Sequence, residues 1–222
     1  MANQKAEVIL QVLKQTLAMP NWTVQQQKPF ETLIATIISQ NTADTNTKRA
    51  FENLSKQFEV APQILAKVET DKLETCLCIA GLYKSKAKAI KSVSKVIIEK
   101  FGGSLDSVLS LPLDEARKAL LELQGVGPKT ADVVLLFSAK KPTVPVDTHI
   151  NRVSKRLGFT PLDSDYEAVR LNLQKVFEPN DYLALHLLLI SLGRTYCKAR
   201  KPLCHNCPIN LYCPSRGFEE QK

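Results

Sequence analysis

The stretch from Leu123 to Leu135, LQGVGPKTADVVL, says most about how this chain of 222 residues folds. Apolar residues at helical spacing lead up to Leu123, two glycines then flank a single valine, and a second apolar helical run begins at Thr130. Gly125 and Gly127 permit positive φ and the close approach of another backbone. The stretch therefore predicts two helices joined by a tight turn.

The predicted turn has the character of an anion site. Backbone N–H groups are exposed at the start of a helix, and the helix dipole favours negative charge there. An αα-corner with a glycine C-cap would give a similar turn, but the doubled glycine followed by a helix-start threonine favours phosphate binding. The stretch is thus interpreted as a helix-hairpin-helix, which grips a DNA backbone without reading bases. Its predicted DNA contacts are Gly125, Val126, Gly127 and Thr130.

Lys129 lies two residues beyond the second glycine, and the residues alone leave its role open. A lysine with a pKa near 10.4 is neutral in only about one molecule in 2,500 at pH 7, so a nucleophilic lysine needs a lowered pKa. A helix N-terminus and partial burial both act in that direction. A lysine that only contacts a phosphate needs no such change.

The residues alone also leave the role of Asp147 open. It stands in TVPVDTHINRV, directly before a predicted helix. It is either the N-cap of that helix or a carboxylate directed at the same cleft as Lys129.

Helical spacing of apolar residues recurs along nearly the whole chain. Pro29 opens one helix at its first turn, and glycines at 81 and at 102–103 end two others. No segment alternates apolar and polar residues strongly enough for a sheet. The fold class is therefore predicted to be all-α, with further helices at residues 7–17, 45–58, 61–66, 71–79, 84–101, 113–123, 130–138, 148–157, 164–177 and 182–196.

Composition and charge exclude some classes of protein and indicate the kind of partner. Charged residues make up 23% of the chain, which argues against global disorder, and the formal net charge of +8 indicates a polyanionic partner. The start, MANQKAEVILQVLKQ, lacks the apolar core of an export signal. The longest apolar stretch, residues 182–192, is too short to span a bilayer. We therefore expect a soluble intracellular protein with no membrane partner. We further expect a prokaryote-like monomer of the cytoplasm or nucleoid.

Four of the six cysteines lie close together near the end of the chain, spaced C-x6-C-x2-C-x5-C. Without an export signal, such clustering indicates metal ligands before disulfides. Four thiolates on an irregular loop satisfy either one tetrahedral zinc ion or one four-iron cluster. The spacing favours the cluster because only one pair is short, but it leaves zinc open. The predicted ligands are Cys197, Cys204, Cys207 and Cys213.

Two groups of basic residues are open to two interpretations. Lys198, Arg200 and Lys201 lie inside the cysteine array, where they either contact phosphates or form a solvated basic loop. The predicted helix 84–101 carries six lysines, which form either a solvated face or a stripe facing DNA. These are the lysines at positions 84, 86, 88, 91, 95 and 100.

Together these motifs resemble the endonuclease III family of helix-hairpin-helix DNA glycosylases over nearly the whole chain. LQGVGPKTADVVL is similar to the family's hairpin, VDTHINRV to the segment with its invariant aspartate, and the cysteine spacing to its [4Fe-4S] loop. GLYKSKA, residues 81–87, resembles a loop that enters DNA. PFETLIATIISQNTAD, residues 29–44, resembles the helix and turn that line the lesion pocket. The resemblance favours a [4Fe-4S] cofactor over zinc.

The resemblance also implies an arrangement of two α-helical domains. A six-helix barrel is expected at residues 23–141, with the helix-hairpin-helix at about 113–138. A discontinuous domain, residues 1–22 and 142–222, is expected to hold the cluster on loop 197–213. The cleft between them would take a flipped nucleotide.

The family's DNA contacts carry over to three places besides the hairpin. Leu82 matches a wedge that enters the duplex beside the extruded base and offsets part of the cost of flipping. The family usually has Ser-Ala-Gln-Ala-Thr-Asp where this chain has SQNTAD, so either Gln40 or Asn41 fills the gap. His149, within VDTHINRV, completes the set.

The implied function is that of a bifunctional DNA glycosylase and AP lyase of base-excision repair. Lys129 falls on the family's nucleophile and would attack C1′, expel the base and form an imine. Asp147 falls on the conserved aspartate and would assist deprotonation. The expected partner is duplex DNA with damaged bases, oxidised pyrimidines above all, or abasic sites. The alternatives are a monofunctional or G-mismatch-directed thymine or uracil glycosylase, and a non-catalytic DNA-binding module.

Overall fold

The computed structural model describes residues 2–18 and 28–217. The chain divides into two compact units. We call Gln25–Lys141 the hairpin unit, and Met1–Val24 together with Pro142–Lys222 the cysteine unit. The described residues form helices, turns and loops without a strand, which confirms the all-α prediction. The domain boundary expected between residues 22 and 23 lies outside the described residues.

Twelve α-helices occur in the described part of the chain. They are α1 (Ala2–Thr16), α2 (Pro29–Ser39), α3 (Asp44–Gln57), α4 (Pro62–Leu65), α5 (Thr70–Leu77), α6 (Tyr83–Phe101), α7 (Asp106–Ser110), α8 (Leu113–Leu121), α9 (Pro128–Ala139), α10 (Thr148–Leu157), α11 (Tyr166–Val176) and α12 (Tyr182–Thr195). Short 3-10 helices add Pro179–Asp181, Cys204–Asn206 and Asn210–Tyr212.

The core of the hairpin unit is built around α2. Pro29 occupies its first turn, where a missing N–H costs nothing. Leu33, Ile34, Ile37 and Ile38 are fully buried, and α2 packs against α3, α6 and α9. Because α2 is central, the turn that follows it, residues 40–43, is held next to the hairpin.

The core of the cysteine unit is built around α12. This helix is apolar over most of its surface, as expected for a helix that other helices surround, and it packs against α1 and α10. His186 is buried among these residues, with Nδ1 3.0 Å from the carbonyl oxygen of Pro145. This histidine is therefore a hydrogen-bonded core residue.

The structure differs from the sequence predictions at one helix end and in one additional short helix. Gly81 was expected to end the helix at 71–79, but α5 ends at Leu77 and the left-handed residue is Leu82, with φ 59°. A Cβ at Gly81 would lie 3.4 Å from the carbonyl oxygen of Asn41, so Gly81 serves a close approach of two loops. The five-residue helix α7 had no prediction because it is too short to show a period.

Within residues 2–18 and 28–217, no helix combines the length and apolar character that crossing a membrane requires.

Candidate active site and iron–sulfur loop

The predicted hairpin is present between α8 and α9, and its two glycines differ in role. Gly125 has φ +83°, and a Cβ there would lie only 2.9 Å from the Cβ of Ala89. Gly127 is extended, with φ −91° and ψ 178°, so only Gly125 uses the positive φ that both glycines permit. A Cβ added to Gly127 would meet nothing within 4 Å. Backbone geometry therefore demands a glycine at 125, and nothing inside the protein demands one at 127.

Gly127 is the N-cap of α9 and offers no side chain to cap the helix. Pro128 fills the first helical position, and Lys129 follows in the same turn with a half-buried side chain. Val126 and Thr130 are buried, so these two expected DNA contacts present little more than backbone. The outward surface of the turn consists mainly of backbone, the side chain of Lys129 and the ring of Pro128.

A hydrogen-bond network joins this turn to the residues after α2. Nε2 of Gln40 donates to the carbonyl oxygen of Gly125 (3.0 Å) and to Oγ1 of Thr130 (3.3 Å). The hydroxyl of Thr42 donates to the carbonyl oxygen of Gln40 (3.1 Å) and accepts from the ammonium of Lys86 on α6. Burial lowers the pKa of Lys86. Gln40 therefore supports the hairpin from inside the unit.

Asn41 and Leu82 lie on two neighbouring loops beside this network, and we call this pair of residues the double tip. Both residues have a positive φ, 51° and 59°, a backbone conformation that is costly for most residues other than glycine. Both are exposed, Leu82 to 62% although it is apolar. Strained backbone that presents an apolar side chain to solvent indicates a functional contact.

An ion pair that the sequence interpretation missed braces the two hairpin helices. Asp132 on α9 is fully buried and receives two hydrogen bonds from Arg117 on α8, at 2.9 and 3.2 Å. The one signal in the sequence is an aspartate inside the apolar run TADVVLL. This pair therefore joins α8 to α9 close to the hairpin turn.

Asp132→Ala is expected to destabilise the protein by about 3 kcal/mol, because it removes a buried carboxylate that receives two hydrogen bonds from the largely buried guanidinium of Arg117. Chemical denaturation followed by circular dichroism measures the effect. Glu167→Ala is the matched control, since Glu167 also pairs with an arginine but is partly exposed, and we expect it to cost about 1 kcal/mol or less. Equal losses would show that the Arg117–Asp132 pair has no special part in bracing the hairpin.

Asp147 is the N-cap of α10. Its Oδ1 accepts a hydrogen bond from the backbone N–H of Ile150 at 2.7 Å. Within the described residues, Oδ2 accepts no hydrogen bond, and the side chain is half-buried. The carboxylate thus caps the helix through one oxygen and keeps the other available.

Helix α10 also holds the start of the cysteine loop through two arginines that the sequence interpretation missed. Arg152 donates to the carbonyl oxygens of Gly193 (2.9 Å) and Cys197 (3.0 Å), and its Nη2 lies 3.2 Å from Nδ1 of His149. Arg156 donates to the carbonyl oxygens of Lys198 (2.6 Å) and Ala199 (3.1 Å). An arginine can only donate, so Nδ1 of His149 is the acceptor.

These contacts leave the basic side chains of the loop outside. Lys198, Arg200 and Lys201 are exposed, and Lys201 has a positive φ of 49°. The backbone of the loop is anchored while its charges face solvent.

The four predicted ligands come together. Cys197, Cys204, Cys207 and Cys213 all line one cavity of about 300 Å³ in the cysteine unit, and none is in a disulfide. Burial raises the pKa of the Cys207 thiol, and the other three cysteines raise it further. Thiols that are half-buried and close enough to affect each other are suited to being held as thiolates by a cationic group.

The arrangement of the four cysteines bears on whether the loop holds a cluster or a single ion. Among the described residues, no group of His, Cys, Asp or Glu is arranged to hold one metal ion. A tetrahedral zinc would need all four sulfur atoms about 2.3 Å from one point. A cavity lined by four cysteines fits a four-iron cluster, which is larger and bound by four thiolates.

Comparison with known proteins agrees with this geometry. A family model described as HhH-GPD superfamily base excision DNA repair protein matches residues 34–179. The chain belongs to this superfamily. A second model, the iron-sulfur binding domain of endonuclease III, matches residues 197–213.

Individual relatives indicate which branch of the superfamily the chain resembles. Endonuclease III of Sulfolobus acidocaldarius is 38% identical over 185 residues, which cover 83% of this chain and 81% of the relative. That of Thermotoga maritima is 34% identical over 189 residues, covering 85% and 84%. A solved trapped endonuclease III–DNA covalent intermediate matches with a TM-score of 0.84 at 31% identity, covering 96% of this chain and 95% of that one.

The resemblance to the endonuclease III family is thereby confirmed. The protein is an enzyme, a DNA glycosylase of base-excision repair. Its cofactor is the [4Fe-4S] cluster, as the cysteine spacing favoured. The roles of Lys129, Asp147 and the expected DNA contacts remain predictions.

Proposed function

We propose that the protein is a bifunctional DNA glycosylase and AP lyase that removes oxidised pyrimidines from duplex DNA. The observation that carries this proposal is the place of Lys129, half-buried in the first turn of an uncapped helix and directly after the glycine turn. The trapped endonuclease III–DNA covalent intermediate supports it, because that relative forms a covalent bond with DNA.

In the proposed reaction, neutral Nζ of Lys129 attacks C1′ of the damaged nucleotide. The N-glycosidic bond breaks, its electron pair leaves with the base, and the sugar opens to an iminium on the lysine. Removal of a proton from C2′ then breaks the bond between C3′ and its oxygen. The 3′ phosphate departs, and water later releases the lysine. Asp147, through its free Oδ2, accepts protons and stabilises the cationic sugar.

The hairpin is proposed to hold the backbone of the DNA. The N–H groups around Gly125 and Gly127 and the positive end of α9 favour a phosphate. The open space at Gly127 lets the phosphate approach the backbone closely, which accounts for a glycine that the protein itself does not require. The four cysteines would hold the cluster, and its bonds to them would fix the loop that bears Lys198, Arg200 and Lys201.

The residue ranges 23–141 and 1–22 with 142–222 are proposed as the barrel domain and the cluster domain respectively. His149 is proposed as a further DNA contact.

The double tip is proposed to fill the space left by a flipped nucleotide. Extruding a base costs a few kcal/mol, and an inserted side chain recovers part of it. Leu82 is the apolar wedge. The side chain of Gln40 is already hydrogen-bonded to Gly125 and Thr130, so Asn41 is the residue that enters beside the unpaired base.

Two substitutions separate these roles. Gln40→Met keeps the length of the side chain but removes its donor, so we expect about a 10-fold slower single-turnover strand cleavage with little change in DNA affinity. Asn41→Ala should instead weaken affinity and flatten the dependence on the opposite base. Single-turnover kinetics and anisotropy titrations measure both. If Asn41→Ala left the opposite-base dependence intact while Gln40→Met removed it, Gln40 would be the gap-filling residue.

Borohydride trapping on duplexes with an abasic site or an oxidised pyrimidine tests the function itself. We expect a covalent complex and a strand cut 3′ to the lesion. Base release without trapping or cutting would favour a monofunctional glycosylase. Tight binding of abasic duplex without any reaction would favour a DNA-binding module.

A further inference from the structure

Four lysines of α6 lie on one face of the helix. Positions 84, 88, 91 and 95 follow the spacing i, i+4, i+7, i+11, which places side chains in one row. Like charges at i, i+4 destabilise a helix. A row of this kind therefore needs either full solvation or an anion that offsets the repulsion.

The structure removes the other two lysines of α6 from this row. Lys86 is buried and donates to Thr42. Lys100 lies 3.7 Å from Glu122. The four lysines of the row are therefore the lysines of α6 that are available to contact a partner.

The row runs into a groove between α6 and the start of α5. A cavity of about 260 Å³ is lined by Thr70, Lys88, Lys91, Ser92 and Lys95. Every lining residue carries a hydrogen-bond donor, and none is a carboxylate. Lys91 is fixed by a 2.7 Å hydrogen bond to the carbonyl oxygen of Val68, which leaves two of its three protons. We call these five residues the lysine groove.

No ion pair within the described residues involves a lysine of the groove. Lys88 and Lys95 form no ion pair or hydrogen bond there. Glu69, next to Thr70, is already paired with Lys72 at 2.9 Å. A concave surface with one sign of charge focuses its field and concentrates ions of the opposite sign.

We propose that the lysine groove is a second phosphate-binding site of the hairpin unit, and that it takes backbone phosphates of the DNA. The ammonium groups supply charge, and the hydroxyls of Thr70 and Ser92 supply directed donors. This site rests on the proposed action on DNA, but none of its five residues belongs to the hairpin.

The length of α6 supports DNA as the source of the phosphates. The helix begins next to Leu82, and a rise of about 1.5 Å per residue places Lys88 and Lys95 roughly 9 and 20 Å farther along its axis. One strand of duplex advances about 3.4 Å per nucleotide, so the row spans several phosphates. A row of this length suits the repeated phosphates of a DNA strand better than a single free phosphate.

The test compares Lys88→Gln/Lys95→Gln with a control that removes the same charge elsewhere. Lys56→Gln/Lys175→Gln is suitable, because both lysines are exposed and outside any ion pair among the described residues. Affinity for undamaged duplex is measured by anisotropy at several KCl concentrations. Each lost phosphate contact should lower the slope of log affinity against log salt by about 0.9. We expect the groove variant to lose about 2 units of slope and the control to lose almost none.

Further arms separate the possible outcomes. Equal slope changes in the two variants would overturn the site. A wild-type protein that binds inorganic phosphate or a nucleoside monophosphate through these lysines, with an unchanged DNA slope in the groove variant, would overturn DNA as the ligand. Strand cleavage at saturating abasic duplex should be unaffected by the Lys56→Gln/Lys175→Gln control. A failure of cleavage in all proteins would count against the proposed lyase, while the slope would still report on the groove.

Discussion

Lys129→Ala is expected to yield no covalent complex with abasic duplex under borohydride and to slow strand cleavage by at least about 10³-fold. The reason is chemical: without Nζ there is no imine, and β-elimination loses the electron sink that the iminium provides. Affinity for the same duplex should change by no more than a few-fold, because the hairpin backbone and not this side chain holds the phosphate. Gel analysis after reduction and anisotropy titration measure the two quantities.

Lys118→Ala is the matched control. Lys118 lies on α8 of the same hairpin and is exposed, so its loss changes the charge of the hairpin equally without touching the proposed chemistry. It should trap and cleave at the wild-type rate. Full trapping by Lys129→Ala would show that another amine is the nucleophile. A large loss of affinity with normal trapping would assign Lys129 to phosphate binding, the other role that the sequence leaves open.

The hairpin shows how far a sequence can lead and where it stops. Its existence follows from the apolar period on either side of two glycines, since local chain stiffness and periodicity act over a few residues. The difference between Gly125 and Gly127 does not follow, because it depends on Ala89, a distant residue that crowds one glycine and not the other. The Arg117–Asp132 pair was missed for the same reason, since burial of a charge is decided by tertiary packing.

The lysines of α6 and the cysteine loop also show which features a sequence can predict and which it cannot. Six lysines on one helix look alike in the sequence, yet one is buried against Thr42 and one pairs with Glu122. The cysteine array, in contrast, was predictable, because four ligands of one group must share one place whatever the fold around them. Its anchors Arg152 and Arg156 were not predictable, since they bind carbonyl oxygens and leave no pattern in the sequence.

Gln40 and Asn41 mark the limit of resemblance. An alignment alone cannot decide between two adjacent amides, because a shift of one residue exchanges them. The hydrogen bonds of Gln40 to the hairpin favour Asn41 as the residue proposed to enter the duplex, since Gln40 would have to give up its bond to Gly125 to do so.

Asp147→Asn is expected to leave the fold intact while slowing strand cleavage by about 10²-fold or more. Asparagine caps helices about as well as aspartate, so the hydrogen bond from Ile150 to Oδ1 can persist. The amide cannot accept a proton or stabilise a cationic sugar as a carboxylate does, so the proposed chemistry is lost. Thermal denaturation and single-turnover cleavage of abasic duplex measure the two effects separately.

Asp147→Ala completes the comparison, because it removes both the cap and the carboxylate. It should lose about 1 kcal/mol of stability relative to Asp147→Asn and cleave no faster. Since α10 also carries Arg152 and Arg156, fraying of its first turn could reach the cysteine loop, and the iron content of each variant checks that. If Asp147→Asn cleaved at the wild-type rate while Asp147→Ala lost stability, the residue would be a helix cap and nothing more. A slow Asp147→Asn with wild-type stability and iron content is the result that assigns the carboxylate to the reaction.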